Sequence, residues 1–303
     1  MNDRVKPVAI SEGLHSISST SQCDGHILHT DEKHKGDIPL KHIGFLQALE
    51  HEPADPIEYQ LRLDDEKIAL NELLGQSIEL SFLDELQCIY CGRITKKFYG
   101  KNNSCYPCYR DLPENDLCIV KPELCHYHQG TCRDASFGEL HCLQPHIVYL
   151  ALSSDVKVGI TRKTNMMKRW IDQGASQAMA IMEVPSRKDA GDIEIILAQY
   201  VKDKTNWRKM LKNEIANCDL LAIREDLITK LPEPYHAYLI PDPEIVPLTY
   251  PSLSTLEKIT PLSLDKQATI RGKLIGVKAQ YLILDTGVFQ VRKHAGYKVT
   301  FAV

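Results

Sequence analysis

The sequence lacks a long hydrophobic run. Around its most apolar centre, the run from Ile147 to Leu152 is far shorter than the roughly 20 residues that a membrane-spanning helix needs. The opening Met1-Asn2-Asp3-Arg4 leads into no hydrophobic signal segment. The expectation is therefore a cytoplasmic protein with no membrane partner. A strong charge of one sign is missing too, since the 303 residues carry a formal net charge of −4. The balance is uneven. Residues 1–87 hold 7 Lys and Arg against 17 Asp and Glu, which is −10. Residues 88–216 hold 19 against 14, which is +5, and residues 217–303 hold 10 against 9, which is +1. The basic centre permits contact with DNA or RNA without demanding it, and solvated surface lysines account for the same count.

Cysteine, by contrast, is plentiful. Ten cysteines in a reducing compartment point to metal rather than disulfides. Cys88-x-x-Cys91 and Cys105-x-x-Cys108 are separated by thirteen residues. Each Cys-x-x-Cys turn aims two thiolates at one ion and leaves backbone N–H groups to bond the sulfurs. Two such turns complete the closed tetrahedron of a structural Zn2+ site. A pair of buried free thiols is the alternative. Arg93, Lys96, Lys97 and Lys101 lie on the intervening loop, where a finger would offer them to phosphate. Cys118, Cys125, Cys132 and Cys142 follow at wider intervals and are the expected ligands of a second zinc ion, with His146 as substitute. At the N-terminus, Cys23-x-x-His26-x-x-His29 has ligand spacing, but an irregular segment explains it more simply.

The run from His146 to Leu152, the turn Ser153-Ser154-Asp155 and the return from Val156 to Thr161 read as a β-hairpin. A three-residue turn sets Leu152 opposite Val156 and Tyr149 opposite Gly159. Val148, Leu150, Leu152, Val156, Val158 and Ile160 then form one apolar face. Tyr149, Lys157, Gly159 and Thr161 share the other face, with glycine where close approach is needed. A helix follows, capped by Thr164 or Asn165, ended by Gly174, and packed through Met166, Met167, Trp170 and Ile171. Ala178 to Val184 reads as a third strand, and Asp189 to Val201 as a helix with Ala190, Glu194, Leu197 and Val201 on one stripe. A carboxylate inside an apolar stripe needs a partner or a metal.

This pattern resembles the GIY-YIG endonuclease superfamily. Tyr149 in Ile147-Val148-Tyr149 matches the catalytic tyrosine, Arg169 the catalytic arginine, and Glu194 the metal-binding glutamate. Lys157-Val158-Gly159 matches the second motif, with lysine where the family usually has tyrosine. The resemblance implies phosphodiester hydrolysis. Glu194 would ligate Mg2+ or Mn2+, Arg169 would neutralise the phosphate, Tyr149 would orient water, and Lys157 would stand beside it. The same residues have a structural reading. Tyr149 packs at the sheet edge, Arg169 and Glu194 form an ion pair, and Lys157 is an exposed strand residue. More closely, Cys88 to about Tyr297 resembles a prokaryotic family known only as a domain of unknown function. The shared features are the paired Cys-x-x-Cys motifs, Lys157-Val158-Gly159-Ile160-Thr161, the run Arg169-Trp170-Ile171-Asp172-Gln173-Gly174-Ala175, and a C-terminal Gly-rich β segment.

Elsewhere, Ile57 to Leu63 and Ser77 to Phe82 alternate as strands, and Trp207 to about Leu231 reads as a helical stretch. Ala268 to Ile275, Gln280 to Leu284 and Val288 to Arg292 read as a small sheet with turns at Gly276 and Asp285-Thr286-Gly287. The expected fold is α+β: a GIY-YIG-like small mixed sheet flanked by helices, preceded by zinc-finger-like four-cysteine sites, with a small antiparallel β domain from the chain ends. The expected divisions are an irregular segment 1–45, a β segment 46–87, a Cys-rich region 88–144, the α/β domain 145–231, and a proline-rich connector with a β segment 232–303. The expected function is a zinc-stabilised, divergent GIY-YIG-like protein acting on nucleic acid, with metal-dependent phosphodiester hydrolysis as its candidate reaction. A catalytically inactive nucleic-acid-binding module and a zinc-stabilised protein-interaction scaffold are the alternatives.

Overall fold

The computed structural model describes residues 40–201 and 206–303, so the Cys23-x-x-His26-x-x-His29 motif lies outside the described residues. Alternating strands open the described chain: β1 (Lys41–Phe45), β2 (Glu50–Glu52), β3 (Glu58–Leu63), β4 (Glu66–Ala69) and β5 (Ser77–Gln87). The end of the segment expected to be irregular is thus strand β1. Strand β6 (Ile94–Thr95) and helix α1 (Tyr106–Asp111) lie within the first cysteine region, and α2 (Ala135–His141) within the second. The hairpin is β7 (His146–Leu152) and β8 (Val156–Arg162), followed by α3 (Met166–Asp172), β9 (Gln177–Val184) and α4 (Arg187–Leu197).

The helical stretch after Trp207 is two helices, α5 (Trp207–Leu211) and α6 (Leu220–Ile228). Between them Asn213 takes a φ of 55°, which no helix continues through. Strands β10 (Val246–Pro247), β11 (Pro261–Leu262), β12 (Thr269–Lys278), β13 (Tyr281–Leu284), β14 (Gly287–Gln290) and β15 (Tyr297–Ala302) complete the chain. β12 runs through Gly276, and the turn falls at Ala279, whose φ is 55°. The turn at Asp285-Thr286-Gly287 stands where the sequence suggested.

The class is mixed α+β. Strands from both chain ends share one eight-stranded sheet, in the order β1-β15-β5-β12-β13-β14-β11 with β6 on β5. It is larger than expected and not wholly antiparallel, because β11 pairs with β14 in parallel. Its core holds Leu80, Ile270, Leu282, Phe289 and Phe301.

The second sheet runs β10-β9-β7-β8. Its hairpin pairs Leu152 with Val156 and Tyr149 with Gly159, the register read from the alternation. Val148, Leu150, Leu152, Val156 and Val158 pack with Ala190, Ile193 and Leu197 of α4. The opposite face is not polar. Every residue of β7 is buried, and Ile147, Tyr149 and Ala151 form a second core with Trp170, Ala175 and Ala178. α3 covers that face, which is why a central strand reads as a nearly continuous apolar run.

α3 also joins the two sheets. Trp170 enters the core under Tyr149, while Ile171 enters the core of the large sheet. The next residue, Asp172, has a side chain only 8% exposed. It accepts hydrogen bonds from His51 Nε2 at 3.1 Å, Gln280 Nε2 at 2.7 Å and Arg292 at 2.6 Å. Burial opposes its ionisation, but the His51 hydrogen bond and the Arg292 charge outweigh it and hold the carboxyl below its ordinary range. Among the described residues no helix is long and apolar enough to cross a membrane.

A depressed carboxyl contributes stability that is present above its unfolded pKa and fades as pH falls towards the folded value. Asp172→Ala should cost about 3 kcal/mol in urea unfolding at neutral pH, because it strands buried partners. The wild type should also lose more stability than Asp172→Asn between about pH 5 and about pH 2. Equal pH profiles for the two would show that this carboxylate is not the clamp.

Candidate functional site

The first cysteine set is brought together. The sulfurs of Cys88, Cys91, Cys105 and Cys108 all lie within 4.8 Å of one another. Cys91 and Cys105 are 3.7 Å apart, close to the roughly 3.8 Å edge of a tetrahedron with zinc–sulfur bonds of about 2.3 Å. Burial raises the Cys88 thiol, but the backbone N–H groups of Cys105, Cys91 and Tyr90 bring it below its ordinary value. The backbone N–H of Arg93 lowers Cys91 to about 6. Backbone donors aimed at sulfur stabilise thiolate, the form that binds metal. Burial and the neighbouring sulfurs push the Cys108 thiol the other way, so it is the convergence of the four sulfurs that would let them hold a zinc ion. The loop between them leans on the large sheet, where the Asn103 side-chain amide donates to the carbonyls of Lys293 and Ala295 at 3.0 and 2.8 Å.

The second set is looser. Cys118, Cys125, Cys132 and Cys142 all line one small cavity with Asp116 and His126. Among the described residues the tight group there is Asp116, Cys118 and His126, whose ligand atoms lie within 4.8 Å of one another. The four thiols do not form such a group by themselves. His146 does not line this cavity. It is fully buried, its Nδ1 lies 2.7 Å from the Gln144 carbonyl, and burial lowers it to about 4. Cysteine spacing alone does not point to Asp116 and His126, which the fold brings in. The region docks on α4, where Gly191 lets the backbone at Glu123 approach so closely that a Cβ would sit 2.7 Å from its nitrogen. Arg187 donates to the Ile119 carbonyl at 2.6 Å.

Tyr149 is 0% exposed, with its ring edge-on to Trp170 at 6.0 Å. The ring lies across edge strand β8 at Gly159, where a Cβ would stand 2.5 Å from the hydroxyl. Its hydroxyl donates to Gln173 Oε1 at 3.1 Å. Burial pushes the phenol up, the Arg169 guanidinium beside it draws it down, and the Glu194 carboxylate adds to the rise. Arg169 is exposed, while Lys157 and Glu194 are half-buried. Ile193, not Glu194, joins Ala190 and Leu197 in the core, so Glu194 flanks the apolar stripe rather than interrupting it. The phenol expected on an open polar face is enclosed because α3 folds over it.

A family model described as a protein of unknown function, DUF2797, matches residues 75–299. The chain belongs to the DUF2797 family. The match spans the first cysteine set, the hairpin, α3, α4 and most of the C-terminal strands. No curated protein and no solved structure matches this DUF2797 chain.

Two outcomes follow from this geometry. Cys108→Ser should remove one zinc equivalent per chain by elemental analysis and unfold the Cys88–Cys108 loop, since ligand binding in such sites is folding energy. Unchanged metal content would refute the site. Gly159→Ala should destabilise by about 2 kcal/mol through overpacking against the tyrosine ring. Combined with Tyr149→Leu, it should cost less than the two changes added.

Proposed function

We propose that this protein is a zinc-stabilised nucleic-acid-binding module. The carrying observation is the outer face of the first cysteine loop. Arg93, Lys96, Lys97 and Lys101 are all exposed there. Tyr99, Tyr106 and Tyr109 stand among them, with Tyr99 edge-on to Tyr106 at 5.2 Å and Lys97 Nζ 4.9 Å from the Tyr99 ring. Tyr106 is 51% exposed. Cations interleaved with aromatic faces suit a single-stranded backbone and its unstacked bases. Zinc at Cys88, Cys91, Cys105 and Cys108 would hold this loop in one shape. A second ion at the Cys118, Cys125, Cys132 and Cys142 cavity, with Asp116 and His126 in reach, belongs to the same proposal. So does a cytoplasmic location, in keeping with the free thiols of all nine described cysteines.

A second reading is divergent GIY-YIG-like hydrolysis of phosphodiesters. The electrostatic influence of both Arg169 and Glu194 on the Tyr149 phenol supports it. The burial of that phenol and the lysine at 157 weigh against it, because an enclosed hydroxyl touches neither water nor phosphate. Glu194 belongs to no group of three ligating side chains among the described residues, which gives Mg2+ or Mn2+ a single carboxylate there.

Labelled single-stranded DNA, duplex DNA and RNA, titrated at several salt concentrations with and without Mg2+, separate these readings. The binding module should show affinity that falls log-linearly with salt, and the Lys96→Glu, Lys97→Glu, Lys101→Glu triple variant should weaken it about tenfold or more. Cleavage lost in Glu194→Ala would favour hydrolysis instead. No binding to any strand would sink both.

A further inference from the structure

Lys278, the last residue of β12, is 3% exposed and makes no ion pair among the described residues. Its ammonium donates to Asn213 Oδ1 at 2.7 Å and lies 4.9 Å from the centre of the Tyr250 ring. All three line a cavity of about 270 Å³. Leu248 and Ile283 supply apolar wall, while the Ser176 and Ser252 hydroxyls donate to the carbonyls of Leu152 and Ser254 at 2.9 and 3.0 Å. Among the described residues no aspartate, glutamate or second cation lines it. Burial lowers Lys278 to about 8, which still leaves it mostly charged at neutral pH.

An enclosed ammonium with a neutral acceptor on one side and an aromatic face on another lacks a counter-charge among the described residues, where burial of a charge is costly. The buried charge at Asp172 is treated otherwise, with His51 and Arg292 both supplied. The Tyr250 hydroxyl is already engaged, donating to the Ala175 carbonyl at 2.8 Å, so it is the ring face that is left to the cavity.

We infer that this cavity is a binding site for a small carboxylate with an apolar body, held by Lys278 through charge and by the Tyr250, Leu248 and Ile283 walls through packing. Asn213 accepts from the ammonium now, and its amide N–H2 can donate to the second carboxylate oxygen. The volume accommodates a compact acid. The site is independent of the nucleic-acid surface.

Benzoate is the probe, followed by ligand-observed NMR and calorimetry on the full chain at neutral pH, with inorganic phosphate as comparator. Saturable benzoate binding is expected, weakened about tenfold or more in Lys278→Met by loss of one charge-assisted hydrogen bond. Methionine keeps the stem and removes the buried charge, so the fold should survive. Asn213→Asp supplies an internal carboxylate at the same distance. It should raise the melting temperature and displace benzoate. Binding unaffected by both variants, phosphate binding as tightly as benzoate, or no saturable binding would each overturn the assignment.

Discussion

A carboxylate inside a protein needs partners, and Asp172 draws its own from three distant parts of the chain. His51 comes from β2, Gln280 from the turn after β12, and Arg292 from the segment following β14. Gln280 also grips Leu49 twice, accepting from its N–H at 2.9 Å and donating to its carbonyl at 3.1 Å. Each partner alone would leave lone pairs of the acid unsatisfied, so the contacts form together or not at all. The carboxylate ends α3. Fixing it therefore fixes the helix that carries Trp170 into one core and Ile171 into the other.

From that constraint the hairpin acquires its second cover. With α3 held down, the Tyr149 face of β7 is enclosed, and the only direction left for the phenol is across the edge strand. Gly159 permits this because it has no side chain to obstruct the ring. The hydroxyl then reaches the sheet margin, where Arg169 from α3 and Glu194 from α4 both influence it. One residue without a Cβ thus brings helices from opposite faces of the sheet into electrostatic range. The same enclosure removes the phenol from solvent.

The parts legible in the sequence were those governed by local rules. Alternation set the hairpin register to the residue, because a shift by one would turn every core side chain outward. Ligand spacing identified Cys88, Cys91, Cys105 and Cys108, since two turns of fixed geometry converge on one point. Illegible features were those that depend on distant neighbours. A tyrosine on a strand reads as half-polar until a helix is known to lie over it. Asp172 reads as the end of a helix, because its three partners are scattered from residue 51 to residue 292. β15 pairs with both β1 and β5 across almost the whole chain, and no short-range pattern announces that pairing. Gly276 misled as a turn, whereas Ala279 makes one despite its side chain.

The second cysteine region, like the first, has few buried apolar side chains to hold it. From Asp111 to Pro145 only Pro113, Pro122, Gly138 and Cys142 are buried, and the backbone passes through single 3-10 turns at Pro113–Asn115, Leu117–Ile119, Pro122–Leu124 and Tyr127–Gln129. Such turns are short because their hydrogen bonds are poorly aligned, and they do not hold a chain by themselves. Two prolines, a glycine and a cysteine make no hydrophobic core. Four thiols, a carboxylate and an imidazole around one small cavity are the densest cross-linking chemistry in the segment. An ion there would do for this stretch what apolar side chains do elsewhere. It would also stiffen the support of α4, whose Gly191 rests on Pro122 and Glu123, and so the position of Glu194 at the sheet edge.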